Sequence, residues 1–312
     1  MKTTNAMSPS PEESISLEQI GSSPVGRGGA GTYIEGELGA YYLLQMLAGS
    51  VARGLPDARI QQVQLQGENE GYALDDLIVH GVSDKGTAIL EIQSKRTIRF
   101  SPRDPIFKSV CEQIVRSNPA ENPTDRHLLA VATQRTSYSI SGPYQDVLEW
   151  ARRAQSGSQF FARLALKGVA SEEMRSFAES FRNNLVAQGV TDEDEGVWAI
   201  LRRFMILEFD FESAAPEAKA HALTLARQVL APEDAKRAEA LWSNLIEIVI
   251  ERLNLASISH GKADEARFLP RRRTEFRARP CQIGGNVAPR TYGDRDHSGR
   301  RKSSPPRRAG RS

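Results

Sequence analysis

From Arg59 to Thr133 the apolar positions come in short runs with the two-residue period of strands. Arg59 to Gln66 alternates, with Ile60, Val63 and Leu65 apolar, and reads as a first strand. Asp76 to His80 is a second, opened by the carboxylates of Asp75 and Asp76. Thr87 to Arg96 is a third, apolar at first and polar at its end, and Gly81 to Gly86 would turn the chain between these two as a hairpin. His127 to Thr133 is a continuous apolar run, as in a strand buried on both faces. Helical spacing flanks these runs. Residues 28–50 give a first helix, ended by Gly54-Leu55-Pro56-Asp57. Pro105 starts another, with Phe107, Val110, Cys111, Ile114 and Val115 on one face. The order helix, three strands, helix, strand predicts an α/β fold.

After Tyr144 the pattern turns helical. Met174, Phe177, Phe181 and Leu185 share one helix face, and Gly189 can cap it. Thr191 to Glu195 reads as an acidic loop, and Pro216 to Leu230 and Pro232 to Leu255 as two more helices. Phe204 to Phe211 alternates; it is either an isolated strand or a continuation of the preceding helix. The chain therefore divides into a disordered leader (1–27), an α/β domain (28–144), an α-helical domain (145–262) and a disordered Arg-rich tail (263–312).

The third strand carries the candidate chemistry. Ile89, Glu91, Gln93 and Lys95 share one face, and Leu90 and Ile92 the other. A lysine beside two oxygen-bearing side chains at the end of an apolar strand is costly to bury without a purpose. Asp76 precedes Gln93 by 17 positions, and the hairpin would bring the two together with Lys95. A hard cation such as Mg²⁺ takes oxygen ligands, so Asp76 and the amide oxygen of Gln93 are candidate ligands. Lys95 would orient the attacking water and offset charge on a scissile phosphate. On the first helix Glu35 and Glu37 lie about 200° apart, so only one can face such a site. Both stripes beside them are apolar, and periodicity does not choose. The bland readings are a turn or cap at Asp75-Asp76 and an edge-strand lysine at Lys95. No GxxxxGK[ST] occurs, and no GxGxxG follows a strand, so a nucleotide-binding loop has little support.

An aspartate, a hairpin and then Gln93-Ser94-Lys95-Arg96, after the glycine-rich start Gly28-Gly29-Ala30-Gly31, resembles the restriction-endonuclease-like superfamily, and its Mrr-like branch most closely. The resemblance implies a mixed sheet flanked by helices and a metal-dependent DNA endonuclease. It implies Asp76, Gln93, Lys95 and Glu35 as catalytic residues. Asp76, Gln93 and Glu35 would hold Mg²⁺, or Mn²⁺ in its place; of the two helix glutamates, resemblance favours Glu35. It further implies double-stranded DNA as partner, a homo-oligomer, and an effector role in bacterial antiphage defence. Residues 145–262 resemble the segment that precedes a STAND-type NTPase module, lost here or supplied separately. The alternative is a nuclease-like module that binds DNA or a protein without cutting.

Charge sharpens this picture. The net charge is +2, yet residues 267–312 hold 14 Lys+Arg against 3 Asp+Glu. The remainder is acidic, so its DNA contacts would come from a local patch such as Lys95, Arg96, Arg99, Arg103 and Lys108. Three readings of the tail stay open: a nucleic-acid-binding arm, a solvated segment without a role, or the product of a shifted reading frame. The polar first 22 residues contain no apolar core segment, and no run reaches the ~18 residues of a membrane span. Cys111 and Cys281 are the only cysteines, Cys111 on an apolar helix face as a buried thiol, and a cytoplasmic setting is expected.

Overall fold

A computed structural model of the chain describes residues 24–55, 57–67, 71–72, 74–116, 126–134, 136–213, 216–258 and 267–268. The elements run α1 (Pro24–Ala48), β1 (Arg59–Leu65), β2 (Leu77–Ser83), β3 (Gly86–Lys95), α2 (Pro105–Arg116) and β4 (His127–Thr133). A short π-helix (Ile140–Tyr144) then leads to α3 (Gln145–Arg153), α4 (Gly157–Ala165), α5 (Glu172–Ala187), α6 (Asp194–Leu201) and β5 (Phe204–Glu208). Last come α7 (Glu217–Val229), a 3₁₀ turn (Pro232–Arg237), α8 (Ala238–Ile258) and β6 (Arg267–Phe268).

One mixed α/β sheet organises these elements, in the order β5-β4-β3-β2-β1-β6. β1, β2 and β3 are antiparallel neighbours, whereas β3, β4 and β5 run parallel. Parallel neighbours need crossover connections, which α2 and then α3 to α6 supply. Side-chain alternation sorts the core into two layers. Leu77, Val79, Leu90, Ile92, Ala130 and Ala132 cluster with α1, α7 and α8. Leu129, Val131, Phe204 and Ile206 cluster with α2 and α3 to α6, where Phe107, Phe177 and Phe181 interlock edge to face.

Several expectations need correcting. Residues 204–208 are neither isolated nor helical, because β5 pairs along β4 with Leu129 opposite Phe204 and Thr133 opposite Glu208. The expected boundary after Tyr144 therefore falls inside one sheet, and the chain through Pro270 forms one compact unit. The hairpin turn is tighter than Gly81 to Gly86: Ser83 pairs with Gly86, leaving Asp84-Lys85 as a two-residue loop. Gly81 is instead a β2 residue over which Ala58 packs; a Cβ there would lie 2.9 Å from the Ala58 methyl. The helix expected over 28–50 begins at Pro24, inside the expected leader, and stops at Ala48. Gly49 has φ 63°, and the Gly49 and Ser50 amides close back onto Met46 and Gln45 as a left-handed C-terminal cap. The acidic loop at Thr191 to Glu195 becomes helical from Asp194, where acids favour a helix start and Arg182 holds Asp192 and Asp194. Arg267–Phe268, expected in the tail, pair with Gln64 and Val63. The rest of the expected leader and tail lies outside the described residues. Among the described residues no helix is long and apolar enough to cross a membrane.

Candidate metal and phosphate site

The β2–β3 register builds the site. Leu77 pairs with Ile92, so one step back along β2 sets Asp76 beside Gln93. Asp76 Oδ2 accepts a hydrogen bond from Gln93 Nε2 at 2.5 Å and another from the Ser94 backbone N–H at 2.6 Å. Gln93 is 4 % exposed, and its Oε1 has no hydrogen-bond partner. Lys95 ends β3 on the same face, half-buried. Burial pushes the Asp76 carboxyl up to about 6, with Asp75 adding to it; Lys95, the Ser94 amide and Gln93 pull the other way.

Glu35 joins this group from α1. Its carboxyl is pushed up to about 7, first by burial and then by the charges of Asp76 and Asp75, against the pull of Lys95. Glu37 belongs to a different cluster. Gln134 Nε2 donates to Glu37 Oε2 at 2.9 Å, and Glu212 and Lys219 are its charged neighbours. Burial and Glu212 raise Glu37 to about 7 as well. The turn of about 200° between the two positions separates them as helix geometry requires. The four sequence-predicted site residues, Asp76, Gln93, Lys95 and Glu35, thus converge.

The segment before Asp76 is shaped by backbone contacts. Gln66, just after β1, sits in the left-handed region at φ 55°, which few non-glycine residues adopt. The Gly67 N–H then reaches the Asp75 carbonyl at 2.8 Å, and the Gln66 N–H reaches that of Asp76. Glu91, two positions before Gln93 on the same face, is 1 % exposed. Its Oε2 accepts from the Leu74 N–H at 3.1 Å, and its Oε1 from His127 Nε2 at 2.5 Å. Sequence reasoning placed Glu91 on this face but missed His127; the available signal was a lone histidine opening an otherwise apolar run.

The donor set suits a hard cation. Glu35 and Asp76 supply carboxylates, and the partnerless Gln93 Oε1 is a buried oxygen lacking a positive partner. Among the described residues no group of three His, Cys, Asp or Glu forms a metal cluster, so this set depends on the amide. On the loop and α2 beyond Lys95, Arg96, Arg99, Arg103 and Lys108 are each exposed. Arg96 is tied to Glu212 at 3.2 Å. Cys111, expected as a buried thiol, is fully buried, and burial pushes its thiol up. In comparisons with known proteins, no family model, no curated protein and no solved structure matches this chain.

Proposed function

We propose that the chain is a metal-dependent DNA endonuclease with a restriction-endonuclease-like fold, acting in the cytoplasm as an effector of bacterial antiphage defence. The convergence of Asp76, Gln93, Lys95 and Glu35 at one end of β2 and β3 carries this reading. The run of α1, three antiparallel strands, α2 and a parallel β4 supports the same class.

Asp76, Glu35 and Gln93 Oε1 would hold Mg²⁺ or Mn²⁺, which when bound acts as a Lewis acid on the scissile phosphate. Asp76 is fixed by the Ser94 amide, so its free lone pairs have a set direction. Lys95 supplies a positive charge where the phosphate gains negative charge, and it can hold the attacking water by hydrogen bonds. Water adds to phosphorus and gives up a proton to solvent, the P–O bond to the leaving oxygen breaks, and that oxygen takes up a proton from solvent, so the proton count is unchanged. Arg99, Arg103 and Lys108 would position double-stranded DNA by its phosphates rather than by sequence.

A second reading has one observation behind it: Gln93 stands where a carboxylate would bind a cation more strongly, and its Nε2 faces Asp76. In that reading the chain binds DNA or a protein without cutting. Purified protein incubated with supercoiled plasmid in Mg²⁺ or EDTA, beside Lys95→Ala, separates the two. The nuclease reading expects Mg²⁺-dependent nicking that drops about 100-fold or more in the variant. Plasmid binding without nicking, or equal nicking by both proteins, defeats it.

A further inference from the structure

We infer that Glu91, held by His127, is a positioning residue that sets the Asp76 carboxylate against Gln93 and Lys95. The inference rests on the nuclease reading for its consequence, but its geometry stands apart from it. Asp76 lies just outside β2, at the end of a connection from β1 that closes through Gln66 and Gly67. Strand pairing begins only at Leu77, and the Gln66 and Gly67 amides hold the Asp76 and Asp75 carbonyls from the β1 side, which leaves the β3 side of the segment to be anchored. Glu91 supplies that anchor. Its Oε2 accepts the Leu74 N–H, two residues before Asp76, while its own backbone pairs with Ile78, two residues after. The carboxylate thus pins the segment from the sheet side, in the strand that also carries Gln93 and Lys95.

His127 fixes the carboxylate in turn. It opens β4, in parallel register with Ile89, and donates Nε2–H to Glu91 Oε1 at 2.5 Å. Its other ring nitrogen is buried with no hydrogen-bond partner, so the imidazole is held through Glu91. A carboxylate 1 % exposed is costly to keep without such partners, and here both oxygens have one. The chain runs Leu74 amide, Glu91, His127, joining three segments that are far apart in sequence. Groups bonded directly to metal ligands typically cost about 10- to 100-fold in metal affinity or activity when removed, and Glu91, which acts on Asp76 through the Leu74 backbone, belongs at the lower end of that range.

The test compares wild type, Glu91→Ala, Glu91→Gln and Lys95→Ala by amide hydrogen exchange over residues 74–77 and by calorimetric Mn²⁺ titration. In wild type the Leu74 amide is expected to be protected, because it is bonded to Glu91 Oε2. Glu91→Ala is expected to speed its exchange and to weaken Mn²⁺ binding about 10-fold or more. Glu91→Gln keeps an acceptor for Leu74 and should restore protection and most of the affinity. Lys95→Ala should leave Leu74 protection unchanged, since its charge does not hold that segment. Should Glu91→Ala fail to fold, His127→Ala serves, because it frees the carboxylate without deleting it. Unchanged Leu74 exchange and unchanged Mn²⁺ affinity in these variants overturn the positioning role. If wild type binds no Mn²⁺, the nuclease reading fails instead, and Leu74 exchange alone still decides whether Glu91 anchors the segment.

Discussion

Asp76 and Gln93 are joined by a side-chain hydrogen bond of 2.5 Å across the β2–β3 hairpin, although 17 positions separate them. Asp75, its neighbour, offers the β1 connection a backbone carbonyl, whereas the Gln93 amide and the Ser94 N–H both bond the Asp76 side chain. The two aspartates should therefore behave differently. Asp76→Ala is expected to abolish Mn²⁺ binding in a calorimetric titration, and nicking with it. Asp75→Ala should keep both within about tenfold, since Asp75 acts on Asp76 and Glu35 as a neighbouring charge that raises each carboxyl. Equal Mn²⁺ affinity in wild type and Asp76→Ala would remove Asp76 from the ligand set.

Glu35, Asp76 and Glu37 are all pushed above the ordinary carboxylate range, to about 7, 6 and 7. For a carboxyl raised in the folded state, the fold binds more protons than the unfolded chain between the two pKa values. Stability without metal should then fall as pH rises from about 4.5 to about 7, by up to about 1.4 kcal/mol per pH unit for each fully buried group. Ligation requires the deprotonated groups, so Mn²⁺ affinity should rise across pH 6 to 8. Glu35→Gln should flatten part of the stability slope, raise the melting temperature in EDTA at pH 8, and weaken Mn²⁺ binding. Thermal melts in EDTA from pH 5 to 8 check this; a melting temperature that climbs with pH would contradict the burial argument.

How far the sequence reaches depends on the range of the interaction. The Gln93 and Lys95 face follows from strand parity alone, and the Asp84-Lys85 hairpin then brings Asp76 in. Glu35 against Glu37 was undecidable because α1 is apolar nearly all round: Leu38, Tyr41, Tyr42 and Leu44 are each at most 1 % exposed. β5 was ambiguous because a five-residue strand bears no periodicity that a helix end could not imitate. The Glu91–His127 contact depends on the parallel register of β3 and β4, which no local pattern encodes.

The Arg-rich segment after Phe268 can be tested by its charge. Residues 269–312 carry 13 basic against 3 acidic residues, and each phosphate contact they make adds about 0.9 to the slope of log affinity against log salt. If the segment is a nucleic-acid arm, truncation after Phe268 should weaken duplex binding and flatten its salt dependence, with nicking chemistry intact. Unchanged binding and slope across 50 to ~200 mM salt would leave the segment without a role in DNA contact.

The last expectation concerns where the folding unit ends. Residues 28–144, the domain expected from the change of pattern at Tyr144, should not fold alone. Without β5, β4 becomes a bare edge, and Leu129 and Val131 lose Phe204 and Ile206. Without α7 and α8, the α1 surface at Gly36 and Gly39 is uncovered: a Cβ there would meet Ile250 at 2.8 Å and Val249 at 2.7 Å, so these helices touch closely. Each large apolar side chain returned to water costs about 1.5–3 kcal/mol, and domains are stable by only about 5–15 kcal/mol. Losing Phe204, Ile206, Val249, Trp242 and Leu245 from the buried set consumes that margin. A fragment spanning 24–268 should melt cooperatively; 28–144 should give no cooperative transition. Gly39→Leu in the full chain is the finer probe. It should lower stability by about 1–3 kcal/mol through overpacking against Val249. A cooperative melt from 28–144, with Gly39→Leu neutral, would show that the first four strands and two helices are an independent domain after all.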